Sequence, residues 1–170
     1  GFGNQMFNYA AAFAFAKKLG YQLYIDDESS TFSDLIKSKK KKYLHWYPKY
    51  ELSIFQISSP IAKSNYKFNT HIKKLYRKLL IFLDLFKSKK SFLKEKKDKY
   101  KKTHSNIPYL KYEYSNTLYL EGYFESENYF YEYKNDLLKE FKLTKIPSVN
   151  ENYLDQIINS NSVSIAVRRD

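Results

Sequence analysis

A chain of 170 residues is long enough to form one domain with a buried core. It contains no cysteine, which excludes disulfide bonds and thiolate metal sites, and its three histidines lack the spacing of metal ligands. The net charge of +12 makes nucleic acid and anionic membranes the partners to consider first.

The chain opens on a Gly-x-Gly pair, Gly1 and Gly3, directly before a helix-forming segment. Two glycines one residue apart let the backbone turn sharply, so we expect a loop that brings a phosphate or sugar oxygen to the N-terminus of the helix. A tight turn packed on a core helix is the alternative. Residues 4–18 are apolar almost all round, which predicts a helix buried on most sides. Asn4 and Asn8 share one face of it and are expected to point into one cleft.

Residues 21–25 alternate in the manner of a strand and end at an acidic run, residues 26–28. Loop, helix and strand together predict the second half of a βαβ unit. The glycine pattern lacks the third glycine of the dinucleotide fingerprint, so it does not indicate an NAD site. For the acidic run, we favour solvated turn residues over a metal site.

Most of the excess of positive over negative charge lies in residues 71–102, which contain 13 Lys and Arg but only 3 Asp and Glu. We interpret this as part of a solvated, basic helical insert at about residues 61–105, with contact to an anionic membrane surface as the alternative. Nucleic acid is not an expected partner, because lysine dominates and no arginine–aromatic stacking pattern is present.

Within this insert, residues 72–86 place their apolar side chains on one helical face and four cations on the other. Packing of the apolar face onto the domain is the expected arrangement, and a helix lying on a membrane is the alternative. The longest strongly apolar run, residues 79–86, is far too short to span a bilayer. Residues 87–102 are expected to continue as a helical or mobile stretch.

The last third of the chain returns to regular patterns. Residues 117–123 predict a buried strand closed by Gly122, and Ser126 is a candidate N-cap for the helix that follows. Ser148 and Glu151 have the spacing of a capping box for a second, short helix. Residues 163–167 predict a final strand. The first helix is expected to present one apolar face, and the second is expected to have its apolar residues inside the protein. The face of the first consists of Tyr129, Tyr133, Leu137 and Phe141, and the inner residues of the second are Tyr153, Leu154, Ile157 and Ile158.

Three separated blocks are the most specific features of the sequence: GFGNQMFNYA (1–10), YLEGYFESENYF (119–130) and SVSIAVRRD (162–170). The first resembles the opening Gly-x-Gly-Asn-Gln-Met-Phe-x-Tyr-Ala of the bacterial family 11 α-1,2-fucosyltransferases. The second is similar to that family's Tyr-Leu-x-Gly-Tyr-x-x-Ser-x-x-Tyr-Phe. The third resembles the His-x-Arg-Arg-x-Asp motif that family 11 shares with other fucosyltransferases. Residues 43–116 match poorly.

The resemblance implies an α/β enzyme of the GT-B type, with two Rossmann-like domains and the active site between them. Residues 1–160 would form the N-terminal, acceptor-side Rossmann-like domain. Residues 161–170 would begin the C-terminal domain, which binds GDP-fucose. Because the chain starts at a glycine and stops just after a strand-like run, we expect a fragment that lacks the guanine-binding half.

Enzymes of this family transfer L-fucose from GDP-β-L-fucose to the 2-hydroxyl of a terminal galactoside. They invert the anomeric centre and need neither a metal ion nor another cofactor. The expected partners are therefore GDP-L-fucose and a galactose-terminated glycan of a bacterial surface. The expected location is the cytoplasm, including the inner face of the cytoplasmic membrane.

The resemblance also indicates the residues that meet the donor. Breaking a sugar–diphosphate bond develops charge on GDP, which fixed cations and N–H donors must stabilise when no metal is present. Arg168 aligns with the motif arginine that contacts the donor phosphates, and an arginine fork suits phosphate oxygens. Gly3, Asn4 and Gln5 align with a loop that faces the donor in related folds. Arg169 and Asp170 are expected to support the motif.

Two departures from the motif support a different hypothesis. Ala166 stands where the family has histidine, and Asp170 follows the second arginine without the intervening residue. They favour, as the alternative function, an inactive fucosyltransferase-like relic or a glycan-binding domain. The general base is not identified: Glu121 and Asp26 are within reach of the expected site, and each is equally explained as a surface carboxylate.

Overall fold

The computed structural model of the protein describes residues 1–30, 49–95, 112–145 and 151–163. These residues form a mixed α/β structure, which confirms the α/β class. The helices are α1 (Phe2–Leu19), α2 (His71–Asp84), α3 (Lys134–Glu140) and α4 (Glu151–Ile158). The strands are β1 (Lys89–Lys94) and β2 (Glu113–Glu121). Short 3-10 helices occupy Leu52–Ile54, Ser64–Tyr66, Glu127–Tyr129 and Tyr131–Tyr133.

Helix α1 is the central element, and its predicted burial is confirmed. It ends at Gly20, whose φ of 69° is left-handed and whose N–H donates to the carbonyl of Ala16. Glycine adopts this conformation without the steric penalty that a Cβ would add. The buried residues of α1 are Tyr9, Ala10, Ala11, Phe13, Ala14, Phe15 and Ala16.

These residues divide between two hydrophobic clusters, so α1 has protein on two sides. In the first cluster, Ala11 and Phe15 pack with Leu93, Phe124 and Tyr129, beside the strands. The second cluster contains Tyr9, Ala10, Phe13, Leu52 and Leu137. The alanines keep α1 narrow, so that the flanking segments approach its backbone closely.

The two strands pair in parallel, with Phe92 opposite Tyr119 and Leu93 opposite Leu120. The rings of Phe92 and Tyr119 stack with their centroids 5.0 Å apart. The strand predicted at residues 117–123 is confirmed, although β2 begins earlier and ends at Glu121. Its predicted burial is wrong, because every residue of β2 is exposed or only half-buried. Strand β1 corrects the interpretation of the lysine-rich stretch, because part of it belongs to the sheet. Aromatic and aliphatic side chains at Phe92 and Leu93 give this short segment enough apolar surface to pair.

The strand predicted at residues 21–25 is wrong apart from a single parallel bridge between Ile25 and Ile61. The Ile25 N–H donates to the Pro60 carbonyl at 2.9 Å, and the Ala62 N–H donates to the Ile25 carbonyl at 2.8 Å. The next bond of this ladder, toward Leu23, would need a backbone donor at position 60. Proline has none, so the pairing stops there.

Helix α2 forms where the sequence predicts it, but the expected packing of its apolar face is wrong. Its polar face turns toward the protein: Arg77 bonds to Glu121, and Asp84 accepts from the Ser91 N–H at 2.8 Å. The apolar residues of the opposite face are exposed, and so is Phe86 just past the end of the helix. The exposed residues of the helix are Ile72, Leu75, Tyr76, Leu79, Phe82 and Leu83.

The segment after β2 is helical in shorter pieces than predicted. The Ser126 side chain accepts from the Asn128 N–H, as an N-cap does, but the turn it opens is a 3-10 helix, and α-helix begins only at Lys134. The predicted inner face is confirmed, since Tyr129 and Leu137 are buried. Helix α4 begins at Glu151, and the expected inner position of its apolar residues is wrong, because Tyr153, Ile157 and Ile158 are exposed. Ser148 and residues 164–167 of the expected last strand lie outside the described residues.

Candidate functional site

The N-terminal turn of α1 contains two of the predicted donor-binding residues, Gly3 and Asn4. The predicted Gly-x-Gly loop is wrong, because α1 already begins at Phe2 and Gly3 lies in its first turn. A Cβ built on Gly3 would meet nothing within 4 Å, and the first turn contains no acidic residue. None of the described residues occupies the Cβ position of Gly3, and the partial positive charge of this helix end favours an anion.

Both the nitrogen and the oxygen of the Gln5 side-chain amide are hydrogen-bonded to the neighbouring loop. Its amide nitrogen donates to the Lys49 carbonyl at 2.7 Å, and its amide oxygen accepts from the Glu51 N–H at 3.0 Å. Gln5 thus fixes residues 49–51 against α1. In this arrangement it positions the backbone around the helix end.

One turn later, Asn8 connects α1 to the end of β2. With its amide oriented so that the nitrogen faces acceptors, it donates to the carbonyls of Gly122 and Tyr123 at 3.1 and 2.9 Å. The structure therefore brings the first and second sequence blocks into direct contact.

The same strand end is held from the other side by Glu95, a buried carboxylate that the sequence analysis did not identify. One carboxyl oxygen accepts from the N–H groups of Tyr123 and Phe124 at 2.8 and 3.0 Å. The other accepts from the Tyr129 hydroxyl at 3.0 Å. Burying a carboxylate is unfavourable unless it is hydrogen-bonded, and these three donors satisfy it. The only sequence signal is an acidic residue two positions after the apolar pair Phe92 and Leu93.

Close packing and an unusual backbone conformation mark the centre of this arrangement. A Cβ on Gly122 would lie 2.6 Å from the Glu95 Cβ and 2.9 Å from the Phe124 ring. Phe124 is buried and has a φ of 50°, in the left-handed region that a phenylalanine rarely adopts. Such conformations persist where the surroundings determine them, and they are frequent at functional sites.

We name Asn8, Glu95, Gly122, Phe124 and Tyr129 the strand-end cluster. Because β1 and β2 are parallel, their carboxyl ends lie at one edge, and Glu95 and Gly122 directly follow those ends. Open α/β sheets bind ligands at this edge. The cluster therefore occupies the position where this architecture places a site.

The acidic run after α1 is engaged in an ion pair. The buried Lys67 contacts Asp27 at 2.6 Å and Glu28 at 2.7 Å. The hydrogen bond from Lys67 lowers the pKa of Glu28, and the bonds to Asp27 and Glu28 raise the pKa of Lys67. Asp26 accepts from the Ser29 N–H at 2.9 Å. Among the described residues, no three His, Asp or Glu side chains gather as they would around a metal ion.

A second buried polar group joins α1 to α3. The Tyr9 hydroxyl donates to Glu140 at 2.7 Å, and the Ser58 hydroxyl donates to the same carboxylate at 2.6 Å. Burial, together with Glu140, raises the pKa of Tyr9 far above its ordinary value. Burial acts to raise the pKa of Glu140, but the bonds from Ser58 and Tyr9 outweigh it and hold that pKa below the usual range. This group fixes α1 on the side of the second hydrophobic cluster, to which Tyr9 belongs.

The remaining predicted site residues are only partly described. Glu121, considered as a base, is paired with Arg77 and lies 3.4 Å from Lys94. Arg168, Arg169, Asp170 and the altered position Ala166 lie outside the described residues.

Comparisons of the chain with protein-family models, with curated proteins and with solved structures found no match in any of the three. Within the described ranges, no helix combines the length and the apolar character needed to cross a membrane.

Proposed function

We propose that the protein containing this chain transfers L-fucose from GDP-β-L-fucose to the 2-hydroxyl of a terminal galactoside, with inversion and without a metal ion. In this proposal the described residues belong to the acceptor-side, Rossmann-like domain of a GT-B enzyme that acts in the cytoplasm. The acceptor is a galactose-terminated glycan of the cell surface.

The contact between Asn8 and the carbonyls of Gly122 and Tyr123 is the observation that supports this proposal most strongly. These residues belong to two blocks that resemble the fucosyltransferases and lie far apart in the sequence. A resemblance without functional meaning gives no reason for the two blocks to meet. Their meeting point lies at the carboxyl edge of the parallel strands, where α/β folds bind ligands.

The chemistry of the reaction agrees with the residue types. The leaving GDP gains negative charge, which needs preorganised donors and cations. The open first turn of α1, with Gly3 and Asn4, offers N–H groups and a partial positive charge. In the proposal Arg168 adds a charged fork for the phosphate oxygens. The hydrogen bonds of Gln5 hold residues 49–51 against α1, and those of Asn8 and Glu95 hold the backbone that follows β2.

The proposal is tested by fucosyl transfer to a panel of galactosides, measured for the complete protein and three arginine variants. Arg168→Ala should lower kcat by about 100- to 1000-fold, because one charge-assisted donor at the leaving group is lost. Arg168→Lys should recover little of it, since lysine lacks the planar fork. Arg169→Ala is the matched control, and it should act mainly on stability. If the complete protein forms no product with any galactoside, the proposal is contradicted. If Arg169→Ala is folded but inactive while Arg168→Ala is active, the alignment of the motif is wrong by one residue.

The alternative, an inactive relic or a glycan-binding domain, is favoured by Ala166 and by the early position of Asp170. Such a protein binds GDP-fucose or a galactoside in a calorimeter without forming product. The gene past Asp170 also separates the two: a second Rossmann-like domain favours the enzyme, and a stop or frameshift favours the relic.

A further inference from the structure

Helix α2 is attached to the protein by its polar face. Asp84 is buried and accepts from the N–H groups of Ser91 and Phe92 at 2.8 and 3.3 Å. One turn and two turns earlier along the helix, Leu80 is half-buried and Arg77 bonds to Glu121 and lies over the Phe68 ring. These positions share one side of the helix, so that side is the one that contacts the protein.

The opposite side exposes apolar side chains at successive turns. Ile72 is 83% exposed, Leu75 69% and Leu79 52%, and Phe86, two residues past the end of α2, is 77% exposed. The surfaces of monomeric soluble proteins rarely expose a contiguous apolar stripe of this kind, and such stripes mark interaction sites. We call this stripe, together with Tyr76, Phe82 and Leu83, the outer face of α2.

The charge around the outer face has one sign. Asp84 is the only acidic residue in 71–90, and it is buried on the inner side. Lys78 lies at the border of the outer face, and Lys87 and Lys89 follow the helix; all three are exposed. An apolar stripe bordered by lysines matches a surface that is apolar beneath a layer of negative charge.

We propose that the outer face of α2 docks on the surface of an anionic lipid membrane, with the helix lying in the plane of the headgroups. The apolar residues enter the boundary of the acyl chains, and the lysines contact lipid phosphates. A second copy of the chain is a poorer occupant, because each copy has a net charge of +12 and would present the same lysines to the other. The docking does not require that the protein transfer fucose.

The test uses the full chain and sedimentation with vesicles. Vesicles of phosphatidylcholine and phosphatidylglycerol in equal parts should bind the chain, and vesicles of phosphatidylcholine alone should bind it weakly. Leu79→Glu should lose binding to the mixed vesicles. Leu138→Glu, at an exposed leucine of α3, is the matched control and should bind as the parent does. Lys78→Gln should weaken binding about fivefold, as expected for one lysine near an anionic surface.

A fluorescent probe reports the same contact without relying on loss of binding. The chain has no cysteine, so Leu75→Cys gives one attachment site on the outer face, and Leu138→Cys gives the control. The probe at position 75 should report an apolar environment when mixed vesicles are added, and the probe at 138 should not.

Several results would overturn the proposal. One is a parent chain that does not bind mixed vesicles at low salt. Another is a folded Leu79→Glu that binds as the parent does, which would show that charge, without the apolar residues, causes the binding. A third is light scattering that shows a dimer of the parent and a monomer of Leu79→Glu without vesicles, which would assign the face to a second copy.

Discussion

Replacing Gly122 by alanine tests the construction of the strand-end cluster. The new Cβ would lie 2.6 Å from the Glu95 Cβ, 2.8 Å from a Glu95 carboxyl oxygen and 2.9 Å from the Phe124 ring. Ordinary contacts begin at 3.4 Å, so the neighbours must move by about 0.5–0.8 Å. Overpacking of this kind costs about 1–3 kcal/mol. We expect a value near 3 kcal/mol, because Glu95 and Phe124 are buried and hydrogen-bonded and cannot move independently.

The assay is urea unfolding followed by circular dichroism, with Gly3→Ala as the control. The same substitution at Gly3 meets nothing within 4 Å and lies in a helix, so it should be neutral or raise the free energy of unfolding by up to about 1 kcal/mol. If Gly122→Ala changes the free energy of unfolding by less than about 0.5 kcal/mol, the close packing described for the cluster is wrong.

Three further predictions concern α1 and its surroundings. Asn8→Asp places a carboxylate against two backbone carbonyl oxygens, so it should lower the free energy of unfolding by about 2 kcal/mol or more in urea unfolding, whereas Asn8→Ser should cost less. Tyr9→Phe should cost about 1.5 kcal/mol through the lost bond to Glu140, and a double-mutant cycle with Glu140→Gln should be non-additive; additivity would contradict the bond. Because the pKa of Glu28 is lowered in the folded protein, its contribution to the free energy of unfolding is present above the ordinary pKa of 4.5 and is lost as the pH falls. Acid should therefore destabilise the parent more than it destabilises Lys67→Met. Equal acid dependence of urea unfolding in the two proteins would refute this.

The central helix and the main strand could be predicted from local patterns. The segment that becomes α1 is apolar almost all round, and such a helix has to be buried whatever surrounds it. The run from Thr117 to Glu121 has strand composition and ends at Gly122, so it too contains its own signal.

Strand β1 and the orientation of α2 depend on partners elsewhere in the chain. Lysines flank the apolar pair in β1, and its strand character comes from pairing with β2. The amphipathic pattern of α2 shows which residues share a face, but it does not show which face meets the protein. That choice follows from specific bonds of Arg77 to Glu121 and of Asp84 to the start of β1.

Only part of the strand-end cluster could be predicted from the sequence. Asn8 was singled out on the first helix and Gly122 at the end of the strand, but nothing local indicates that they touch. Glu95 was missed because one acidic residue among many lysines has the composition of a solvated stretch. Only the parallel pairing of β1 and β2 places it beside Gly122.

The most direct test of the proposed function is the structure of the product. The complete protein is incubated with GDP-β-L-fucose and lactose in the presence of a metal chelator, and the product is analysed by NMR. We predict fucose in the α configuration, linked to the 2-position of galactose, at a rate that the chelator leaves unchanged. A folded protein that forms no fucosylated product with lactose or any other galactoside, or one whose transfer requires a divalent metal, would contradict the account.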